Sequence, residues 1–562
     1  MSPPHILMRA EDVPILGVRG VVWEGIMEDQ KTVLILGAGV MQLPAIKIAR
    51  RLGWRVAVAD ADPSAPGARL ADLFFHVDLK DTEGLLAAAR KLASEGGLHG
   101  VFTAGTDFST SVAYVAERMG LPGIPYEVAL RAKDKALMRE HLHRAGIPVP
   151  RYAVLSREER ANRLLEEGRR IPFPLVVKPA DNMGARGVRL VRDTPELEEA
   201  VESAAACSLS GKVVLEEFLE GPEFSIDAVV WQGEVHICGV ADRHIFFPPY
   251  FVEMGHTMPT DIPPSVRAEL EEVFVRAVKA LGITEGAAKG DVFYTGRGPV
   301  IGEIAARLSG GYMSGWTYPY ASGVDVTEAA LRIAVGLPPG DLSPRWQRVC
   351  AERAFLSIPG VIRDIEGFHL LRLEPGVKKT FLRISPGDRV RFPTNNVEKC
   401  GNVLALGGTR EEAVSRAEES VSRVRLVLLP GDAETSSFLF EDTSFPSAFS
   451  LDPQEEVHLS RLSSLYRSLP RVSPPYRVRK VGLNAYVDIL PLRVKQDRDW
   501  YYHTIGEILE EMDTYLASVS PLPWILGRDF WAALLKGGWQ GARWYVDTLR
   551  GGVDPRTLEP VG

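Results

Sequence analysis

The 562-residue sequence has no run of about 18 apolar residues, so nothing in it reads as a membrane span. Its four cysteines, Cys207, Cys238, Cys350 and Cys400, lie far apart, with no Cys-x-x-Cys pair and no histidine cluster beside them. That scatter argues against a zinc site or a disulfide framework and for a reducing, cytoplasmic setting. No segment carries a basic stripe and the formal charge is −8, which excludes the electrostatic footprint of a nucleic-acid binder. The first 27 residues lack the basic-then-apolar order of a signal peptide. Residues 1–26 read as a loosely ordered extension, or as a start site placed too early. No internal repeat is present.

What is there is an α/β pattern. The apolar run at 32–36 is followed by Gly37-Ala38-Gly39, then by helical spacing over 41–52 and a second strand ending on Asp60. A helix at 84–95 and a strand at 100–103 continue the alternation, the mark of a parallel sheet with helical crossovers. A single charged amphipathic helix is expected over 129–145, stopped by Gly146-Ile147-Pro148. Strands are expected at 175–178, 188–191 and 213–216, a hairpin at 225–231 and 234–240, and strands at 290–294 and 300–304. Helices are expected at 195–206, 265–281 and 409–428. Residues 337–342, rich in Pro and Gly, read as a joint. Beyond 429 the character changes, to a Ser- and Pro-rich stretch at 432–478 and then a helical end with Trp500, Trp524, Trp531, Trp539 and Trp544.

Two glycine turns could meet phosphates. Gly37 and Gly39 after the first strand, with Asp60 ending the second, have the outline of a dinucleotide site, but the third glycine position is Gln42. A tight turn in a nucleotide-fold domain with another purpose explains them as well. The second turn is richer. Lys178 ends a strand and is followed by Pro179-Ala180-Asp181-Asn182-Met183-Gly184-Ala185-Arg186-Gly187. A lysine beside a flexible glycine loop suits a triphosphate, although a plain hairpin turn has the same look. About 40 residues on, Leu215-Glu216-Glu217-Phe218-Leu219-Glu220-Gly221-Pro222-Glu223 brings a strand into a run of acids. Backbone groups there could bind an adenine edge and a carboxylate could take ribose hydroxyls. Asp291 and Glu303 fall on neighbouring strands joined at Gly296-Arg297-Gly298, as a magnesium-binding pair would, and Arg307 follows four residues later, placed to hold a phosphoryl group.

In this order the motifs resemble the ATP-grasp superfamily over roughly residues 31–428. The resemblance implies an N-terminal Rossmann-like domain (31–124), a two-part ATP-grasp domain (125–336, with a lid at about 150–220) and a C-terminal part of the core (337–430) like that of biotin carboxylase. Residues 1–30 and 431–562 fall outside it. It also implies that Lys135 contacts phosphate with Lys178, Gly184, Arg186 and Gly187. Glu216 would face the adenine amino group, Glu217 and Leu219 would line the hinge, and Glu223 would take the ribose. Asp291 and Glu303 would hold Mg2+, with Mn2+ able to substitute, and Arg307 would face an acyl phosphate made from ATP. The family's metal-site asparagine is Ala305 here, which leaves the number of magnesium ions open.

The segment Tyr250-Phe251-Val252-Glu253-Met254-Gly255-His256-Thr257-Met258-Pro259 is similar to the substrate side of L-amino-acid ligases and related carboxylate–amine ligases. Glu253 could bind a substrate ammonium and His256 could orient a carboxylate or the incoming amine, with Arg243 and His244 as weaker candidates. The bland reading is a surface loop before a helix. The expected activity is an ADP-forming ligase joining a small-molecule carboxylate to an amine such as an amino acid. A bicarbonate-dependent carboxylase is the alternative, and a silent nucleotide-binding protein or an oxidoreductase fits less well. Partners are small molecules, with no nucleic acid, no membrane and a homodimer left open. The tail could be a dimerisation element, a substrate cover or a fused module, and its tryptophans suit packing better than a ligand cage.

Overall fold

The computed structural model describes residues 31–156, 170–449, 492–519 and 528–559. Residues 1–30, residues 157–169 of the expected lid, most of the Ser- and Pro-rich stretch and Trp524 lie outside the described residues.

Strands β1 (Thr32–Leu36), β2 (Arg55–Asp60), β3 (Leu73–His76) and β4 (Gly100–Phe102) form a parallel sheet in the order β3-β2-β1-β4. β1 is buried along its whole length, as expected of a strand covered on both faces by helices. The glycine turn after it is closed by the protein itself. Asp60 Oδ2 accepts from Ala38 N at 2.7 Å, and the Gln42 side chain fills the space behind Gly37 while bonding both N and O of Ala104. Asp60 therefore braces its own turn, which favours the structural reading of that motif over a dinucleotide site.

The expected helix at 129–145 is two helices, Tyr126–Lys133 and Lys135–Arg144. Asp134 sits in an extended conformation between them, and its carboxylate caps Ala136 N and Leu137 N. An N-cap residue inside a continuous periodic pattern is enough to restart the helix, and the restart places Lys135 at a helix start. There its backbone N–H donates to Ala180 O at 2.8 Å.

The lid is an antiparallel sheet of β5 (Tyr152–Leu155), β6 (Leu175–Pro179), β7 (Arg189–Val191) and β8 (Val213–Glu217), in the order β5-β8-β6-β7. The helix Thr194–Cys207 covers one face through Leu197, Ala200, Val201 and Ala204.

The largest sheet contains β9 (Glu223–Trp231), β10 (Glu234–Phe246), β11 (Val252–Met258), β12 (Gly286–Thr295), β13 (Gly298–Ala305), β14 (Val349–Phe355), β16 (Val377–Leu382) and β18 (Gly401–Gly407). Their order is β13-β12-β9-β10-β11-β14-β18-β16. Three expectations change here. The segment 250–259 is no surface loop, because β11 runs through the middle of the sheet between β10 and β14. The hairpin's second strand continues to Phe246 and so carries Arg243 and His244. Residue 337 does not divide the sheet, because β14, which comes after it, pairs with β11, and β18 pairs with β14.

β15 (Gly360–Glu366), β17 (Arg389–Val390) and β19 (Arg425–Leu428) make a small third layer. β19 occupies the end of what reads in sequence as a helix over 409–428. The helix itself is Arg410–Ser422, and the chain turns before entering the strand. The tail is built into this layer. Trp539 and Trp544 share one core with Phe355, Ile358, Leu426 and Leu428. Gln540 accepts from Ile358 N at 2.9 Å and donates to Ser357 Oγ and Leu426 O. Buried aromatics with paired polar groups make the described part of the tail core. The four cysteines are free, and no helix among the described residues is long and apolar enough to cross a membrane.

Candidate active site

The site lies where the lid sheet faces the large sheet. Lys178, near the end of β6, reaches Glu216 Oε2 on β8 at 2.5 Å, and Arg139 Nε holds Glu216 Oε1 at 2.7 Å. Burial works to raise the Glu216 carboxyl, but Arg139 and Lys178 outweigh it and hold it at about 2. Both oxygens of Glu216 are therefore engaged, and its side chain braces Lys178 where the resemblance has it facing an adenine amino group. Glu217 is bound by Arg151 Nε at 2.9 Å and Arg297 at 2.5 Å, and Leu219 is buried beside them.

In the loop after β6, Gly184, Ala185 and Gly187 all have positive φ, of 66°, 61° and 71°. A side chain at Gly187 would meet Cys207, whereas one at Gly184 would find room. Arg186 turns back onto Met183 O at 3.1 Å and is exposed. Lys135 Nζ donates to Asn182 O at 2.7 Å, tying the helix start to this loop. The loop also touches the far side of the site, where Asn396 N donates to Gly184 O at 3.0 Å.

Asp291 and Glu303 are direct partners across β12 and β13. Lys135 stands 4.0 Å from Glu303. Burial works against the Glu303 charge, but Lys135, Lys289, Lys178 and Arg307 more than offset it and keep the carboxyl at about 2. Among the described residues no three His, Cys, Asp or Glu side chains gather as a metal cage. Two carboxylates amid four cations suit a magnesium ion completed by nucleotide phosphates rather than one held by protein alone. Arg307 donates to Leu308 O at 3.0 Å, while its Nε is buried with no partner in the described structure.

The cluster continues along the same sheet to the segment expected to meet substrate. Arg243 on β10 binds Glu223, Asp291 Oδ1 (2.8 Å) and Glu253 Oε2 (2.7 Å). Burial raises the Glu223 carboxyl despite Arg243, since Asp291 and Glu253 crowd the same cation. Glu223, expected at a ribose, has its carboxylate on Arg243 in this structure. His256 Nε2 lies 3.4 Å from Glu253 Oε2 and its Nδ1 is 2.6 Å from Glu352 Oε2. Burial alone would neutralise the imidazole, but Glu253 and Glu352 raise it to about 9. His244 goes the other way, pushed to about 3 by burial and by Arg353, and it bonds Thr257 Oγ1 outside this chain of charges.

Sequence reasoning missed Arg139, Lys289, Glu352, Asn396 and Asn402. Arg139 was findable, four residues after Lys135 on one helix face, and so was Lys289, two before Asp291 on one strand face. The others had no local signal.

Family models match in chain order: an ATP-grasp N-terminal domain at 46–123, an ATP-grasp domain at 171–315 and an L-amino acid ligase C-terminal domain 2 at 354–428. Together these matches place the chain in the ATP-grasp superfamily. The chain is 29% identical to human carnosine synthase 1 over 335 residues, 55% of this chain and 40% of that protein. It is 31% identical to a D-alanine–D-alanine ligase of Mycobacterium sp. (strain KMS) over 226 residues, 36% of this chain and 60% of that one. It thus spans less than two thirds of either relative. In fold it resembles the crystal structure of L-amino acid ligase from Bacillus licheniformis, with a TM-score of 0.62 at 23% identity, covering 71% of this chain and 99% of the other.

Proposed function

We propose that this ligase activates a small-molecule carboxylate at the expense of ATP and joins it to the amino group of an amino acid, releasing ADP. The observation that carries the reading is the placement of Glu253 and His256 on β11, beside Arg243 and so beside Asp291. An acid and an imidazolium side by side match the ammonium and carboxylate of an amino acid, and they stand next to the carboxylate pair that would hold Mg2+.

When bound, ATP supplies the phosphoryl group that turns the carboxylate into an acyl phosphate. Lys135 and Lys178 would neutralise the outer phosphates, with the loop of Gly184, Arg186 and Gly187 folded over them. Glu217 and Leu219 would line the adenine side, and Glu216 would act through Lys178, to which its carboxylate is committed. Glu223 would take ribose hydroxyls once released from Arg243. Asp291 and Glu303 would hold Mg2+, and Arg307 would offset charge at the transferring group. The lid would exclude water from the activated carboxylate.

Pairs of carboxylates and amino acids, screened for ADP release, test this. Release that needs both members of a pair supports it. Release driven by bicarbonate alone, or AMP among the products, would overturn it.

A further inference from the structure

We infer that Glu352, held by Asn402, is a positioning residue that fixes the His256 ring with Nε2 turned to Glu253 and the substrate. The chemical consequence rests on the function proposed above, while the geometry does not. His256, Glu352 and Asn402 sit on three adjacent strands, β11, β14 and β18, at 2%, 0% and 0% exposure. His256 and Glu352 are direct register partners. Glu352 Oε2 takes His256 Nδ1 at 2.6 Å, and Glu352 Oε1 accepts from Asn402 Nδ2 at 2.7 Å.

A carboxylate with no exposure needs a charged partner, since an uncompensated buried charge is strongly destabilising. Arg353, next in sequence, points its guanidinium at Glu418, at Thr257 Oγ1 and at the main-chain carbonyls of His256 and Glu352. The cation bonded to the Glu352 carboxylate is therefore His256. The remaining titratable and charged groups about the ring are Glu253 on its own strand, Arg243 and His244 on β10, and Lys399, whose Nζ donates to Glu253 O at 2.5 Å. With Nδ1 committed to Glu352, the other nitrogen carries a proton as well and works as a donor. Gly311 packs against the ring edge and Glu253, where a side chain would collide with both. The corner then suits an α-amino acid, its ammonium on Glu253 and a carboxylate oxygen on His256 Nε2. Asn402 Oδ1 is buried without a partner in the described structure, a cost consistent with an amide kept for the bond its nitrogen gives Glu352.

Nitrogen NMR of the full-length, histidine-labelled protein reads the ring directly. Among the 11 histidines, His256 is assigned by the signals that His256→Gln removes. In the wild type, His256 should be doubly protonated at pH 8. Glu352→Gln should cut its proton affinity at least about tenfold, Asn402→Ala should do so to a smaller degree, and Glu352→Asp should restore most of it. If Glu352→Gln does not fold, Asn402→Ala decides. An unchanged His256 titration in the variants that fold overturns the inference. In ADP-release assays with L-amino acid pairs, the same variants should raise the amino-acid KM about tenfold with kcat nearly kept. Because the NMR needs no substrate, failure of the proposed function would appear in the assay alone.

Discussion

Arg243 reaches Asp291 at 2.8 Å although β9 runs between their strands, and its other amino nitrogen is 2.7 Å from Glu253. One guanidinium thus joins the end of the site assigned to the nucleotide with the end assigned to substrate. If the two ends share it, they are coupled, and the coupling must act equally in both directions. Titrating Mg-ATP with and without an amino acid should show a change in affinity that Arg243→Met removes. The substitution should also destabilise the fold by about 3 kcal/mol, since Glu223, Asp291 and Glu253 lose a common buried cation. Equal affinities in the wild type with and without the amino acid would show that Arg243 is a structural pair only.

Lys178 holds Glu216 in this structure and is proposed to contact phosphate, and its removal should show both. Lys178→Ala should abolish ADP release, as a phosphate contact would require. It also leaves Glu216, at 3% exposure, with Arg139 as its remaining ionic partner. Partial loss of a buried pair is expected to lower stability by about 1–3 kcal/mol. Calorimetry beside the activity assay separates the two effects, and full ADP release in the variant rules out the phosphate role.

That second effect was not legible in the sequence, and the reason is physical. Lys178, Asp291 and Glu303 stand out because strand alternation and short turns place them, which are local matters. The partners of Lys178 and His256 depend on which strands lie side by side. β11 pairs with β14, nearly a hundred residues on by the numbering of His256 and Glu352, and no periodicity predicts that. The split at Asp134 was legible in principle, because an acid capping two following amides is a helix-start signal. It was masked by the charged periodicity on either side. β11 was not legible as a strand because Glu253 and His256 turn to a charged site rather than an apolar core.

The metal pair should be unequal. The Glu303 side chain is 38% exposed, whereas Asp291 shares Oδ1 between Lys289 and Arg243. Glu303→Gln should therefore weaken magnesium-dependent ATP binding about 10- to 100-fold, and Asp291→Asn should weaken it less. Mg-ATP titrations of both variants decide the order, and the reverse order would mean that Asp291 gives up its cations to the metal.

His256 supplies a pH signature with a definite sign. Burial opposes its charge, Glu253 and Glu352 favour it, and the folded-state value of about 9 lies above the ordinary 6.5. A raised folded value gives stability that is complete below about pH 6.5 and lost as pH rises toward 9. The loss should be on the order of 3 kcal/mol. Urea unfolding from pH 6 to 9.5 should show this decline in the wild type and a flatter profile in His256→Gln. Parallel profiles would mean that the imidazole is already neutral at pH 7.

The loop at 181–187 should behave as a lid whose two glycines are not equivalent. Both have positive φ, where alanine costs roughly 1–2 kcal/mol. At Gly187 an added Cβ would also lie 2.9 Å from Cys207 Cβ, whereas at Gly184 the nearest atom, on Val397, is 3.8 Å away. Gly187→Ala should therefore disturb the loop in every state of the protein and lower both ATP affinity and turnover. Gly184→Ala should act mainly on closure, because Gly184 O is where Asn396 N fastens the loop to the substrate side. Asn396 Oδ1 also accepts from Glu253 N at 2.8 Å, so closing the loop and ordering β11 involve the same residue. Turnover should fall more than ATP affinity in Gly184→Ala, whereas Asn396→Ala keeps the main-chain bond to Gly184 O and loses the one from Glu253 N. Hydrogen exchange over 181–187 should slow when Mg-ATP binds the wild type, and slow less in Gly184→Ala. Exchange that is already slow without nucleotide, and unchanged with it, would make the loop a rigid turn.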